Sequence, residues 1–150
     1  NNNLVTELKK KGISDQKILS AIKKVPRELF IDQASAEWAY ENMPLPVACG
    51  QTISQPYVVA YMIDCLKLKK TDKVLEIGTG TGYQTTIISH LCQKIYTIEI
   101  FSKLFTQAKF NIEKLKIKVN DFKPHHKPKR FAGNPKTTVL RLEQCAYARP

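Results

Sequence analysis

Apolar residues recur at helical spacing through the first part of the chain. Leu4, Val5 and Leu8 mark one or two amphipathic turns ended by Gly12. Ile18, Leu19, Ile22 and Val25 then form one face of a helix that Ser14 is placed to cap and Pro26 to stop. Together they predict a helical N-terminal arm. Residues 27–39 predict a further short helix, after which Pro44 and Pro46 force an extended path to Gly50. Gln55 and Pro56 open another helix with Val58, Val59, Met62, Ile63 and Leu66 on one face, expected to pack against a sheet that begins at Val74.

From Val74 the pattern alternates between strand and helix. Residues 74–77 read as a short buried strand, and residues 83–91 as a helix burying Ile87, Ile88 and Leu91. Residues 95–99 read as a second strand ending in Glu99. Leu104, Phe105, Ala108, Ile112 and Leu115 then place a crossover helix over residues 102–116. This order predicts an α/β chain with a parallel sheet. From Val119 onward the pattern dissolves into prolines, lysines and histidines, and residues 137–142 alone resemble a strand. Three segments follow: residues 1–50 as helical arm and extended loop, 51–118 as a partial domain around a βαβ unit, and 119–150 as a basic, proline-rich tail expected to be poorly ordered.

Composition narrows the class without naming a function. A chain of 150 residues, 43% hydrophobic and 25% charged, suits one soluble globular domain. No apolar run approaches the roughly 18 residues of a membrane helix, and no basic-then-apolar leader opens the chain, so the expected location is cytoplasmic. The first residue is not an initiator Met, which leaves the true start open. Cys49, Cys65, Cys92 and Cys145 form neither a C-x-x-C pair nor a dense framework, and read as reduced thiols. His125, His126 and Cys145 lack metal-ligand spacing, so no metal is expected. Nearly half of the net charge of +11 lies after residue 118. That tail could attract phosphates, but it lacks interleaved aromatics beyond Phe122 and Phe131, and specific nucleic-acid binding is not expected.

The chemistry gathers at the turn between the two strands. Gly78, Gly80 and Gly82 free the chain of Cβ atoms where it bends and approaches a ligand, and Glu99 stands where it can accept hydrogen bonds from ribose hydroxyls. The dinucleotide fingerprint requires G-x-G-x-x-G, whereas here the third glycine comes one residue early and Glu76 places an acid inside the preceding strand. The segment therefore resembles motif I of the Rossmann-like methyltransferases, whose cofactor is S-adenosylmethionine and has no pyrophosphate to cradle. A glycine turn with packing duties alone is the bland alternative.

Two further segments sharpen the resemblance. AYENMPLPVACGQTISQPYVVAYM, residues 39–62, and GISDQKILSAIKKVPRELFI, residues 12–31, stand in the order found in the protein-L-isoaspartate O-methyltransferases, and the chain resembles that family over residues 4–118. The resemblance implies a Rossmann-like S-adenosylmethionine-dependent methyltransferase fold with an N-terminal helical arm. It implies methyl transfer from S-adenosylmethionine to the free α-carboxyl of L-isoaspartyl residues in damaged proteins or peptides, followed by spontaneous closure to a succinimide. In the family the serine of the QTISQP loop belongs to the active site, which maps onto Ser54, with Thr52 and Ile53 in the same loop. Thr52, Ile53, Glu76, Gly78, Gly80, Gly82 and Glu99 are the implied cofactor-binding residues. Ser54 has a plain alternative as the cap of the helix that follows it. Asn42 occupies a place where the family often carries an aspartate.

Family strands beyond the second, together with an acidic turn and later glycine-rich segments, have no counterpart after Lys118 in this reading, so the fold is expected to be incomplete. An interrupted gene product read out of frame from about Lys118, or a fragment, accounts for the change of pattern. Three functional readings stay open: the methyltransferase, a non-catalytic S-adenosylmethionine-binding fragment, and a basic nucleic-acid binder using the tail.

Overall fold

The computed structural model describes residues 2–124 with side chains and the backbone of residues 137–141. The expected basic segment around Lys127 to Arg130, with His125, His126, Phe131 and Cys145, lies outside the described residues.

The arm forms as its pattern predicts, with one change of cap. Helices α1 (Asn2–Lys10) and α2 (Gln16–Lys24) bury Leu4, Leu8, Ile18, Leu19, Ala21 and Ile22. The cap of α2 is Asp15 rather than Ser14: its carboxylate accepts the Lys17 N–H at 2.7 Å, one residue later than the sequence suggests. Val25 ends the helix in extended backbone, as expected before Pro26. The single helix predicted over residues 27–39 is instead two 3₁₀ turns, Arg27–Phe30 and Gln33–Trp38. The prolines that follow do not simply extend the chain. Strands β1 (Leu45–Pro46) and β2 (Thr52–Ile53) pair antiparallel around a tight 3₁₀ turn, Ala48–Gly50, in which Cys49 adopts a left-handed φ of 61°.

Helix α3 (Pro56–Leu66) buries Val59, Ala60, Met62 and Ile63 and stops at Lys67, a left-handed C-cap. It packs mainly on α1 and α2 rather than on the sheet, because α2 lies between it and α4. The sheet is parallel throughout, in the order β5-β4-β3-β6, with β3 (Lys73–Ile77), β4 (Lys94–Glu99), β5 (Asp121–Pro124) and β6 (Thr137–Arg141). Crossover helix α4 (Tyr83–Ser89) connects β3 to β4, and α5 (Ser102–Lys114) connects β4 to β5. Each ends two residues before the predicted boundary. Strand β5 was not legible in the pattern, since Asp121, Lys123 and Pro124 carry no apolar alternation; Phe122 anchors it, its ring 4.3 Å from that of Phe105 on α5.

One face of the sheet carries the core. Val74 and Glu76 on β3, with Ile95, Thr97 and Glu99 on β4, are all buried on the helix side, and the apolar ones join a single cluster running from Leu4 to Leu104. On the other face Ile77, Tyr96 and Ile98 stay half-exposed. The two strands align Glu76 with Thr97, which sets up the polar site below.

Because α2 touches α1, α3 and α4, the arm and the sheet belong to one core. Ile22 is 1% exposed at that junction. Ile22→Ala is expected to cost about 2–5 kcal/mol while preserving one cooperative thermal transition. A loss below about 1 kcal/mol, or a separate early transition, would show the arm to be a loose appendage.

Candidate active site

The glycine turn is built by backbone geometry before any side chain acts. Gly78, Gly80 and Gly82 have φ of 92°, 58° and 93°, in the left-handed region that side chains disfavour. At Gly82 space is also short: a Cβ there would meet Ala108 Cβ and Ile112 Cδ1 of α5 at 3.4 Å. Gly78 N–H donates to the Ile98 carbonyl at 2.9 Å, tying the start of the turn to β4.

Glu99 fixes the middle of that turn. Its Oε2 accepts the Gly80 N–H at 2.7 Å, and its Oε1 accepts the N–H groups of Ile100 and Phe101 at 2.8 and 2.9 Å. A carboxylate offers about four lone-pair sites, so one remains for a ligand hydroxyl. Glu99 is 4% exposed, hence it serves the turn's shape at least as much as any ligand.

Glu76 lies deeper. It is fully buried and outside the cleft lining; its Oε1 accepts from Gln84 Nε2 at 3.2 Å, and its Oε2 accepts from Thr85 Oγ1 and from Thr97 Oγ1 at 2.8 Å. Since Thr97 gives its one proton to Glu76, Thr79 Oγ1 must be the donor in its 2.7 Å contact with Thr97 Oγ1. Burial pushes the Glu76 carboxyl up to about 7, and the donors from Thr85, Thr97 and Gln84 restrain the rise. Asn111 of α5 completes the support, its Nδ2 donating to the Thr81 carbonyl at 3.0 Å.

The opposite wall comes from the hairpin loop. Thr52, Ile53 and Ser54 line the same cleft as Thr79, Gly80, Thr81, Tyr83 and Gln84, together with Val59. Two buried polar atoms at its edge, Thr81 Oγ1 and Gln84 Oε1, have no hydrogen-bond partner among the described residues. Gly78, Gly82, Glu76 and Glu99 shape or support the cleft from behind. Another, more open hollow lies beside Asp32, Lys103 and Phe110, but it gathers no such orphaned groups.

Ser54 does not cap α3. Gln55 occupies the cap position, and the first-turn amide of Tyr57 donates to Asn42 Oδ1 at 2.9 Å instead. Asn42 is held in turn by its Nδ2 donating to Glu7 Oε1 at 2.7 Å, and its carbonyl accepts from Gln55 Nε2. The residue whose side chain departs from the family pattern therefore takes the capping duty, and the Ser54 hydroxyl makes no hydrogen bond among the described residues.

The least legible residue is Arg27. Fully buried, its guanidinium donates to the carbonyls of Ala39 at 3.0 Å, Glu41 at 3.1 Å, Met43 at 2.9 Å and Ser54 at 3.2 Å. It also lies 5.7 Å from the centre of the Tyr83 ring. One arm residue thus holds the loop that carries Ser54 against the residue that opens α4. Nothing in its local sequence distinguishes it from a solvent-facing arginine.

With this geometry in view the comparisons with known proteins are decisive. The family model of protein-L-isoaspartate(D-aspartate) O-methyltransferase matches residues 1–126. The chain belongs to that family. The match takes in β5, beyond the Lys118 limit of the motif resemblance. A protein-L-isoaspartate O-methyltransferase of Photorhabdus laumondii is 50% identical over 113 residues, covering 75% of this chain and 54% of the relative. The chain spans about half the length of the curated relatives it matches. A solved protein-L-isoaspartate O-methyltransferase superposes with a TM-score of 0.77 at 29% identity, over 92% of this chain and 47% of that one. A putative isoaspartyl methyltransferase from Plasmodium falciparum, solved with S-adenosyl-L-homocysteine, superposes with a TM-score of 0.68 at 26% identity, over 83% and 62%. The fold is the Rossmann-like one of S-adenosylmethionine-dependent methyltransferases.

Glu76 makes this family member's stability depend on pH. Its folded-state value lies above the ordinary 4.5, so the protonated form favours folding. That contribution is complete below about pH 4.5 and is lost as pH rises towards 7. Glu76→Gln removes the titration. Its stability relative to the unmodified chain should rise across that window by on the order of 3 kcal/mol, as read from paired urea melts; a difference independent of pH would contradict the buried-carboxyl account.

Proposed function

We propose that the chain is a protein-L-isoaspartate O-methyltransferase, transferring a methyl group from S-adenosylmethionine to the α-carboxyl of L-isoaspartyl residues in damaged proteins or peptides. The supporting observation is that one cleft joins the QTISQP loop to the glycine turn. The cleft suits the cofactor: its edge holds two orphaned polar atoms and Glu99 keeps one free acceptor site. When bound, S-adenosylmethionine supplies an electrophilic methyl on its sulfonium.

The chain's own residues then bind and align. An α-carboxyl titrates near 3.3–3.7, so the substrate carboxylate is ionised at neutral pH and needs no general base. Ser54 donates its hydroxyl proton to one carboxylate oxygen and orients the other for displacement. Thr52 and Ile53 form the wall beside it. The backbone of Gly78, Gly80 and Gly82 lets the cofactor approach closely, Glu99 accepts from a ribose hydroxyl, and Glu76 holds Gln84 and Thr85 beneath it. No described helix is long and apolar enough to cross a membrane. A cytoplasmic location, damaged proteins as partners and the absence of specific nucleic-acid recognition complete the proposal.

A second reading, cofactor binding without turnover, is favoured by the half-length coverage of the relatives. Calorimetric titration with S-adenosylhomocysteine, paired with methyl transfer to an isoaspartyl peptide, separates the two. Glu99→Ala should weaken cofactor binding at least tenfold, and an unchanged dissociation constant contradicts the ribose assignment. Ser54→Ala should lower kcat/KM by roughly 10- to 100-fold, the loss of one hydrogen bond to a charged group. Its stability should stay within about 0.5 kcal/mol of the unmodified chain's, because Asn42 caps α3. Reduced stability with undiminished methylation would return Ser54 to a structural role.

A further inference from the structure

Arg27 is a cation buried without an anion among the described residues. It is fully inaccessible, none of the ion pairs among the described residues involves it, and its Nε has no partner there. Four carbonyl dipoles solvate the guanidinium but do not neutralise it, and such a charge is costly to keep away from water. Burial lowers its pKa from the ordinary 12.5, yet arginine retains its proton in proteins. Its positive charge therefore stands behind the Ser54 wall of the cleft, with Glu28 acting on Tyr83 in the opposite sense and the carboxylates of Glu76 and Glu99 behind the other wall. Two residues connect it to the cleft: the Ser54 carbonyl at 3.2 Å and the Tyr83 ring at 5.7 Å, both from residues that line the cavity.

We propose that Arg27 is a specificity residue for the substrate's charge: its buried guanidinium is the counter-charge that selects an ionised carboxylate at Ser54 over a neutral amide or ester. The proposal rests on the isoaspartyl reading of the cleft. A carboxylate bonded to the Ser54 hydroxyl would lie on the order of 8 Å from the guanidinium, where two charges at an effective dielectric of about 20 favour binding roughly 30-fold. The preference acts on binding rather than on transfer, since the carboxylate loses its charge as the methyl bond forms. It also aids release, because the ester product is neutral. Arg27 touches neither substrate nor cofactor; it selects through its field and positions Ser54 through its hydrogen bond.

The test uses the full chain saturated with S-adenosylhomocysteine and two peptides that differ at one group, an isoaspartyl carboxylate and its isoasparaginyl carboxamide. Calorimetry should show the unmodified chain preferring the acid by roughly 30-fold. Arg27→Lys should keep most of that ratio, and Arg27→Gln, with folding verified by circular dichroism, should bring it close to one. A ratio near one in the unmodified chain overturns the proposal without any variant, so the test survives even if Arg27→Gln does not fold. An undiminished ratio in folded Arg27→Gln also overturns it and leaves Arg27 a loop clamp. Binding of S-adenosylhomocysteine but of neither peptide overturns the charge selection alone, whereas failure to bind S-adenosylhomocysteine at all overturns the cofactor reading and the proposal with it.

Discussion

The guanidinium of Arg27 joins parts of the molecule that the chain itself keeps apart. The glycine turn belongs to the sheet, and the Ser54 loop to a small hairpin that lies between Pro44 and Pro56. Neither makes a cleft alone. By donating to the carbonyls of Ala39, Glu41, Met43 and Ser54, Arg27 fixes four points of irregular backbone that have no ladder to hold them. A buried carbonyl left unpaired, as Ala39's would be, costs on the order of 1–3 kcal/mol, so one side chain on the arm replaces part of what a strand would otherwise provide. The arm is therefore part of the site's architecture.

A second buried polar system holds the other wall. Among the described residues Glu76 has three donors and no cation, and the chain from Thr79 through Thr97 to Glu76 links the glycine turn to the middle of the sheet. Each bond of such a buried network restrains the side chains it joins, and Gln84 Oε1 is left as its open acceptor. Its register depends on β3 and β4 aligning Glu76 with Thr97, and its upper end on Gly82 admitting α5 closely enough for Asn111 to reach Thr81. The turn is thereby gripped from β4, α4 and α5 at once. Flexible in sequence, it is restrained in place.

Much of this was legible before any coordinates, and the remainder was hidden for identifiable reasons. Periodicity found the arm, α3, the βαβ unit and α5, because each buries an apolar stripe of ordinary length. The family resemblance implied Ser54, Thr52 and Ile53 and the glycine motif marked the turn, and the structure brings Thr52, Ile53, Ser54 and Gly80 into one cleft. Asp15 displaced Ser14 as a cap because adjacent Ser and Asp are equivalent candidates until backbone geometry chooses. Asn42 capping α3 from fourteen positions before Pro56 could not be read, since side-chain caps are sought next to the helix. Arg27 was hidden for a deeper reason: its partners are carbonyls, which every residue carries, so no sequence pattern marks them. Strand β5 lacks alternation, and its ladder to β4 and the contact of Phe122 with Phe105 seat it instead.

What unites these elements is the claim that two walls, one from the arm's loop and one from the sheet's turn, form a single ligand site. Hydrogen–deuterium exchange on the full chain, with and without saturating S-adenosylhomocysteine, tests it directly. The account predicts slowed exchange in residues 52–54 and in residues 78–84 together, at the same ligand concentration. Protection confined to the turn, or absent from both segments, would contradict it.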